Sequence, residues 1–128
     1  MTRALLVVLA LTMSAPCARA GPTDEAVVLR DFFAGTLEID VPFGGPWSAK
    51  RYLAPDHTYR ETGSDGDVRG TWVLQDGKVC TTADRLLGEE RAKTYCTDVA
   101  GKHAGDMWRA PDPVTGNAVF FKLSPGRT

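Results

Sequence analysis

From Thr36 onward the chain is written in short alternating runs, broken by Gly, Pro, Asn and Asp every 8 to 12 residues or so. Residues 36–41 set the pattern: Leu37, Ile39 and Val41 share one face, while Thr36, Glu38 and Asp40 share the other. That period of two belongs to a half-buried strand. Pro42-Phe43-Gly44-Gly45-Pro46 ends it, and further runs follow at 47–53, 57–62, 68–75, 78–82, 92–99, 106–110 and 118–123. Asp76-Gly77 between two of them is the strongest hairpin signal, since a type I′ turn needs positive φ at both central residues. The expectation is an α+β, mostly β domain: a bent antiparallel sheet or small lipocalin-like barrel of about seven or eight strands.

A helix is expected ahead of the sheet. Ala26, Val27, Leu29, Phe32 and Phe33 recur near the helical period, with Thr23 placed to cap the start and Asp24 and Glu25 in the first turn. Gly35 stands where a terminating glycine belongs. The predicted core is Phe32, Leu37, Ile39, Leu53, Tyr59, Trp72, Leu74, Tyr95, Val119 and Phe121.

Residues 1–20 read as a secretory signal peptide. Thr2-Arg3 form a basic start, Ala4 to Met13 an apolar run too short to span a bilayer, and Ala18-Arg19-Ala20 a small-x-small cleavage site. Lipidation at Cys17 is disfavoured by Pro16 directly before it. The mature chain, residues 21–128, is therefore expected to be a single periplasmic or secreted domain without a transmembrane span. In an oxidising compartment its two cysteines, Cys80 and Cys96, are expected to pair, and the chain-entropy model values closing such a loop at roughly 3 kcal/mol. The spacing fits neither a Cys-x-x-Cys redox motif nor a zinc site.

Charge narrows the partners. Without the leader, Lys and Arg are outnumbered by Asp and Glu, and both signs are interspersed. Nucleic-acid binding, which needs a clustered cationic footprint, is disfavoured.

No catalytic constellation stands out, and neither a cofactor nor an enzymatic activity is expected. His57 beside Asp56 has the composition of a general base, but neighbours in a turn usually point apart. His103 and Asp106, with Asp98 or Asp112 as further donors, define no metal geometry. Asp65-Gly66-Asp67 lacks the twelve-residue calcium loop and reads as a hairpin turn. The remaining candidates are Trp47, Trp72 and Trp108, since large aromatics can line the mouth of a small barrel. The competing role for each is packing.

The stretch Tyr52-Leu53-Ala54-Pro55-Asp56-His57-Thr58-Tyr59-Arg60, followed by Arg69-Gly70-Thr71-Trp72-Val73-Leu74, Gly77-Lys78-Val79-Cys80 and Tyr95-Cys96, resembles small exported bacterial proteins of unknown function. The resemblance covers about residues 47–97, with His57 where glycine is usual, and implies a compact, lipocalin-like antiparallel β domain. Gly70-Thr71-Trp72 is also similar to the Gly-x-Trp of lipocalins, although that motif belongs to their first strand. A further similarity is to small periplasmic protease inhibitors, whose N-terminal segment blocks a partner as Gly21-Pro22-Thr23 would here. Two functions are thus expected: a binding module for a small apolar or amphiphilic ligand, or a protein-interaction module such as an inhibitor of a secreted or cell-envelope enzyme.

Overall fold

The computed structural model describes residues 22–88 and 92–128. The leader assigned to residues 1–20, Cys17 included, and the Glu89-Glu90 part of one connection lie outside the described residues. Two short helices, α1 (Pro22–Val28) and α2 (Arg30–Ala34), precede eight strands. These are β1 (Gly35–Val41), β2 (Trp47–Leu53), β3 (Thr58–Gly63), β4 (Val68–Gln75), β5 (Lys78–Ala83), β6 (Thr94–Asp98), β7 (Met107–Pro111) and β8 (Ala118–Pro125). Every expected strand is present, and the bounds of β2 and β4 coincide with the expected runs.

All neighbours are antiparallel, in the order β6-β5-β4-β3-β2-β1-β8-β7. Six strands form a meander. The chain then crosses one end of the sheet through residues 99–106 and returns as β7 and β8, placing β8 beside β1. The sheet curls into a half-barrel with β6 and β7 at its two ends.

Registers fix which residues face inward. Leu37 pairs with Leu123 on one side and Arg51 on the other, Tyr59 with Leu53 and Gly70, and Trp72 with Thr81. The concave face therefore carries Leu37, Ile39, Leu53, Tyr59, Trp72, Val79, Val119, Phe121 and Leu123, all buried. Leu74 and Tyr95, expected in the core, are only partly buried and pack against its rim. Leu29, Val79, Val99 and Leu123 were not on the expected list, yet belong to the core cluster. Asp76 and Gly77 both have positive φ, 52° and 73°, as the type I′ reading requires.

The expected single helix is interrupted at Leu29, whose φ of −102° and ψ of 10° leave the helical region. Leu29 N–H still donates to the Glu25 carbonyl, and Phe33 N–H to the Leu29 carbonyl, so the break is a bend. It accommodates full burial of both Leu29 and Phe32 in the core. The first helix begins at Pro22, ahead of Thr23, the residue expected to cap it. Gly35 does end α2, but as extended backbone with φ −116°, so it is no left-handed cap. A Cβ there would stand 2.6 Å from the carbonyl oxygens of Asp31 and Ser124, so close approach is what demands glycine. The second helix packs on β1, β2 and β8 and plugs one end of the half-barrel. Arg127 secures it by donating to the carbonyls of Phe33 and Leu53, which satisfies an end-of-helix acceptor.

Cys80 and Cys96 face each other in the β5–β6 ladder and form the expected disulfide, tying β6 into the sheet. No helix among the described residues is long and apolar enough to cross a membrane.

Candidate functional site

With one end plugged by α2, the opposite end of the half-barrel stays open. The turns 42–46, 64–67 and 112–117 lie there, and β5 ends and β6 begins at the same end. A cavity of ≈ 580 Å³ lies within this mouth, a volume suited to a small organic ligand. Ile39, Val41 and Val119 give it aliphatic wall, and Phe43, Trp47 and Tyr95 give it aromatic wall. Strand alternation explains these positions. Val41 pairs with Trp47, both in phase with the inward residues of their strands, just beyond the level where the core closes.

Three charged residues, Arg51, Asp65 and Asp112, line the cavity, and of these Arg51 is the one buried as a whole. Arg51 is in phase with Trp47, Ala49 and Leu53 on β2, so the pleat turns it inward, where it is 4% exposed. Its partner is Glu61, opposite it on β3 and 3% exposed. Arg51 Nε and Nη2 donate to Glu61 Oε2 at 2.9 and 2.7 Å. Arg51 Nη1 is buried without a hydrogen-bond partner among the described residues. The guanidinium carbon also sits 5.5 Å from the centroid of the Tyr59 ring. Neither Arg51 nor Glu61 was singled out from the sequence. The signal was there in the phase of Arg51 with three inward apolar residues.

Of the three tryptophans expected to meet a ligand, the structure brings only Trp47 to this cavity. Trp72 is 1% exposed at the plugged end, where its Nε1 donates to the Ala54 carbonyl and its ring packs 5.8 Å from Phe33. Trp108 stacks on Phe121 at 5.5 Å, meets Phe32 edge-on at 6.4 Å, and lies under the Lys102 ammonium.

The histidines serve other ends. His57 adopts a left-handed φ of 69°, stacks on Trp72 at 4.2 Å and brings Nε2 within 2.8 Å of Glu25 Oε2. It thereby latches α1 to the β2–β3 turn. Asp56 is engaged elsewhere: its Oδ1 accepts from the Thr58 hydroxyl and N–H, and these bonds hold its carboxyl below the ordinary 3.8. Asp106 accepts from the His103 N–H within their own loop, and Asp112 accepts from Val114 and Thr115 in the β7–β8 turn. Among the described residues, no group of three or more His, Cys, Asp or Glu is placed to hold a metal ion.

A second depression, of ≈ 690 Å³, crosses the convex face beside Phe120 and Met107. Its rim alternates acidic Glu38 and Asp40 with basic Lys50 and Lys122. Its exposed, charge-laced walls are those of a solvated sheet face, whereas the mouth is more enclosed and sets aliphatic and aromatic walls beside Arg51, Asp65, Asp112, Thr115 and Asn117. The mouth is therefore the candidate site. No protein-family model, no curated protein and no solved structure matches this chain.

Proposed function

We propose that this chain is an exported, non-enzymatic binding protein that holds a small apolar or amphiphilic molecule in the open mouth of its half-barrel. The observation that carries this reading is the ≈ 580 Å³ cavity itself, walled by Trp47, Phe43, Tyr95, Ile39, Val41 and Val119. Aliphatic and aromatic walls joined by a limited set of polar side chains, here Arg51, Asp65, Asp112, Thr115 and Asn117, suit a small-molecule pocket. Export is supported by the leader-like first twenty residues and by a Cys80–Cys96 disulfide, which persists in oxidising compartments.

The test is titration with the neutral fluorophore N-phenylnaphthylamine. Saturable one-to-one binding is expected, lost in Trp47→Ala with the melting temperature unchanged and retained in Phe120→Ser on the convex face. Binding that survives Trp47→Ala and disappears in Phe120→Ser would transfer the site to the convex groove.

A second reading, an interaction module acting on a secreted or cell-envelope enzyme, draws on the two sheet ends β6 and β7 and on the exposed side chains of Met107 and Leu86. Unpaired strand edges invite pairing with another chain. A periplasmic partner held by the wild type and released by Met107→Lys would favour it.

A further inference from the structure

The convex face displays the residues that alternate with the core. On β3, Tyr59 and Glu61 are buried, so Arg60 between them is turned to solvent. On β4, Val68 and Gly70 are buried, and Arg69 is turned out in the same way. The β3–β4 register then sets Arg60 directly opposite Arg69. Charges interspersed along the chain thus meet across the ladder, where like charges repel and weaken a sheet. Asp67 stands two residues before Arg69, and the Asp84 N–H donates to the Arg69 carbonyl, yet neither arginine forms an ion pair with any described residue. Arg60 is also held in place: its guanidinium carbon lies 4.9 Å from the ring centroid of Tyr52, the residue opposite it on β2. Tyr52 is buried, and its hydroxyl donates to the Thr128 main-chain oxygen. A cation–π contact consumes no N–H donor, so those of Arg60 stay available. Arg127 approaches the same ring at 5.5 Å, but spends Nε and Nη2 on the carbonyls of Phe33 and Leu53 and so contributes charge alone. Burial chiefly lowers the pKa of Arg127; Tyr52 opposes this, and the charge of Arg60 adds to it.

From this register we propose that Arg60 and Arg69 form a clamp for a phosphate group on the convex face, apart from the cavity of the mouth. A phosphate monoester carries about two negative charges and three strong acceptor oxygens, enough to engage two guanidiniums at once. A carboxylate is fully met by one guanidinium, so it leaves the repulsion between the pair in place. The bound phosphate replaces that repulsion with attraction to both residues.

Methyl phosphate and acetate, titrated at one ionic strength against the oxidised protein, test the clamp, since neither carries a ring or chain that the mouth would hold. Methyl phosphate is expected to bind about tenfold more tightly than acetate, to shift the Nε–H resonances of Arg60 and Arg69 saturably, and to raise the melting temperature. Arg60→Gln and Arg69→Gln, both at exposed positions, should each weaken it about tenfold. Arg109→Gln removes the same charge from an exposed position on β7 and should leave binding unchanged. Equal binding of the two anions, or an equal loss in Arg109→Gln, would show general screening of charge and overturn the clamp. Vesicles of phosphatidylcholine, with and without phosphatidic acid, separate the two sources of the phosphate. Sedimentation with the phosphatidic acid vesicles that Arg69→Gln abolishes assigns it to a lipid headgroup. Methyl phosphate binding without sedimentation assigns it to a soluble phosphate ester.

Discussion

Arg51 and Glu61 face each other across the β2–β3 ladder inside the half-barrel, joined at 2.7 Å and almost wholly removed from solvent. Buried pairs of this kind are costly to break and cheap to replace, because the loss of one partner strands the charge of the other. Arg51→Met alone is expected to destabilise the domain by about 3–5 kcal/mol, whereas Arg51→Met/Glu61→Met should come close to the wild type. Denaturant midpoints of the two variants check this. A double variant as unstable as the single one would mean that the pair organises the fold beyond its charges.

His57 holds two roles that pull against each other. Its left-handed φ of 69° is strained for a residue with a Cβ, whereas its stacking on Trp72 and its bond to Glu25 favour the side chain. His57→Ala keeps the strain and loses the contacts, so a loss of about 1–2 kcal/mol is expected. His57→Gly loses the same contacts but relieves the backbone, and should be the milder change. Thermal melts of both variants decide the matter, and an alanine variant more stable than the glycine one would refute the strain.

The Cys80–Cys96 bond closes the hairpin that ends the sheet at β6. Its removal in Cys80→Ser/Cys96→Ser should lower stability by about 3 kcal/mol, the loop-closure value. Hydrogen exchange should quicken first in β6, because one of its two edges has no strand beside it among the described residues. Uniform loss of protection across β1, β8 and β6 would instead indicate that the bond supports the whole half-barrel.

How much of this was legible in the sequence differs between parts of the molecule. All eight strands could be read because period-two alternation and Gly, Pro and Asp turn chemistry are local, and the Asp76-Gly77 hairpin needs nothing beyond its own two residues. Arg51 escaped because inward faces were sought among apolar residues. Its inwardness shows only when Trp47, Ala49, Arg51 and Leu53 are taken as one face, and its partner only when the β2–β3 register is known. The burial of Trp72 depends on the helix and on His57, which arrive from distant parts of the chain. That β6 and β7 end the sheet is also non-local, since it depends on β8 pairing with β1.

That crossover is moored to the helix by Asp31, whose Oδ2 accepts the Ala104 N–H at 3.0 Å. The Ala104 bond chiefly holds the Asp31 carboxyl below its ordinary 3.8. Partial desolvation opposes it, and the charges of Arg30 and His103 add to it. A carboxyl whose value falls on folding stabilises the native state above its unfolded value, and that contribution is lost as pH drops through the folded one. Asp31→Asn keeps an acceptor for Ala104 but removes the charge. It is expected to melt below the wild type at neutral pH, and the gap should close as the solution is acidified past 3.8 and the wild-type carboxyl takes up its proton. Paired melting curves from neutral to acid pH provide the check. A gap of constant size over that range would show that the mooring works through shape and hydrogen bonding, with the charge of Asp31 contributing nothing.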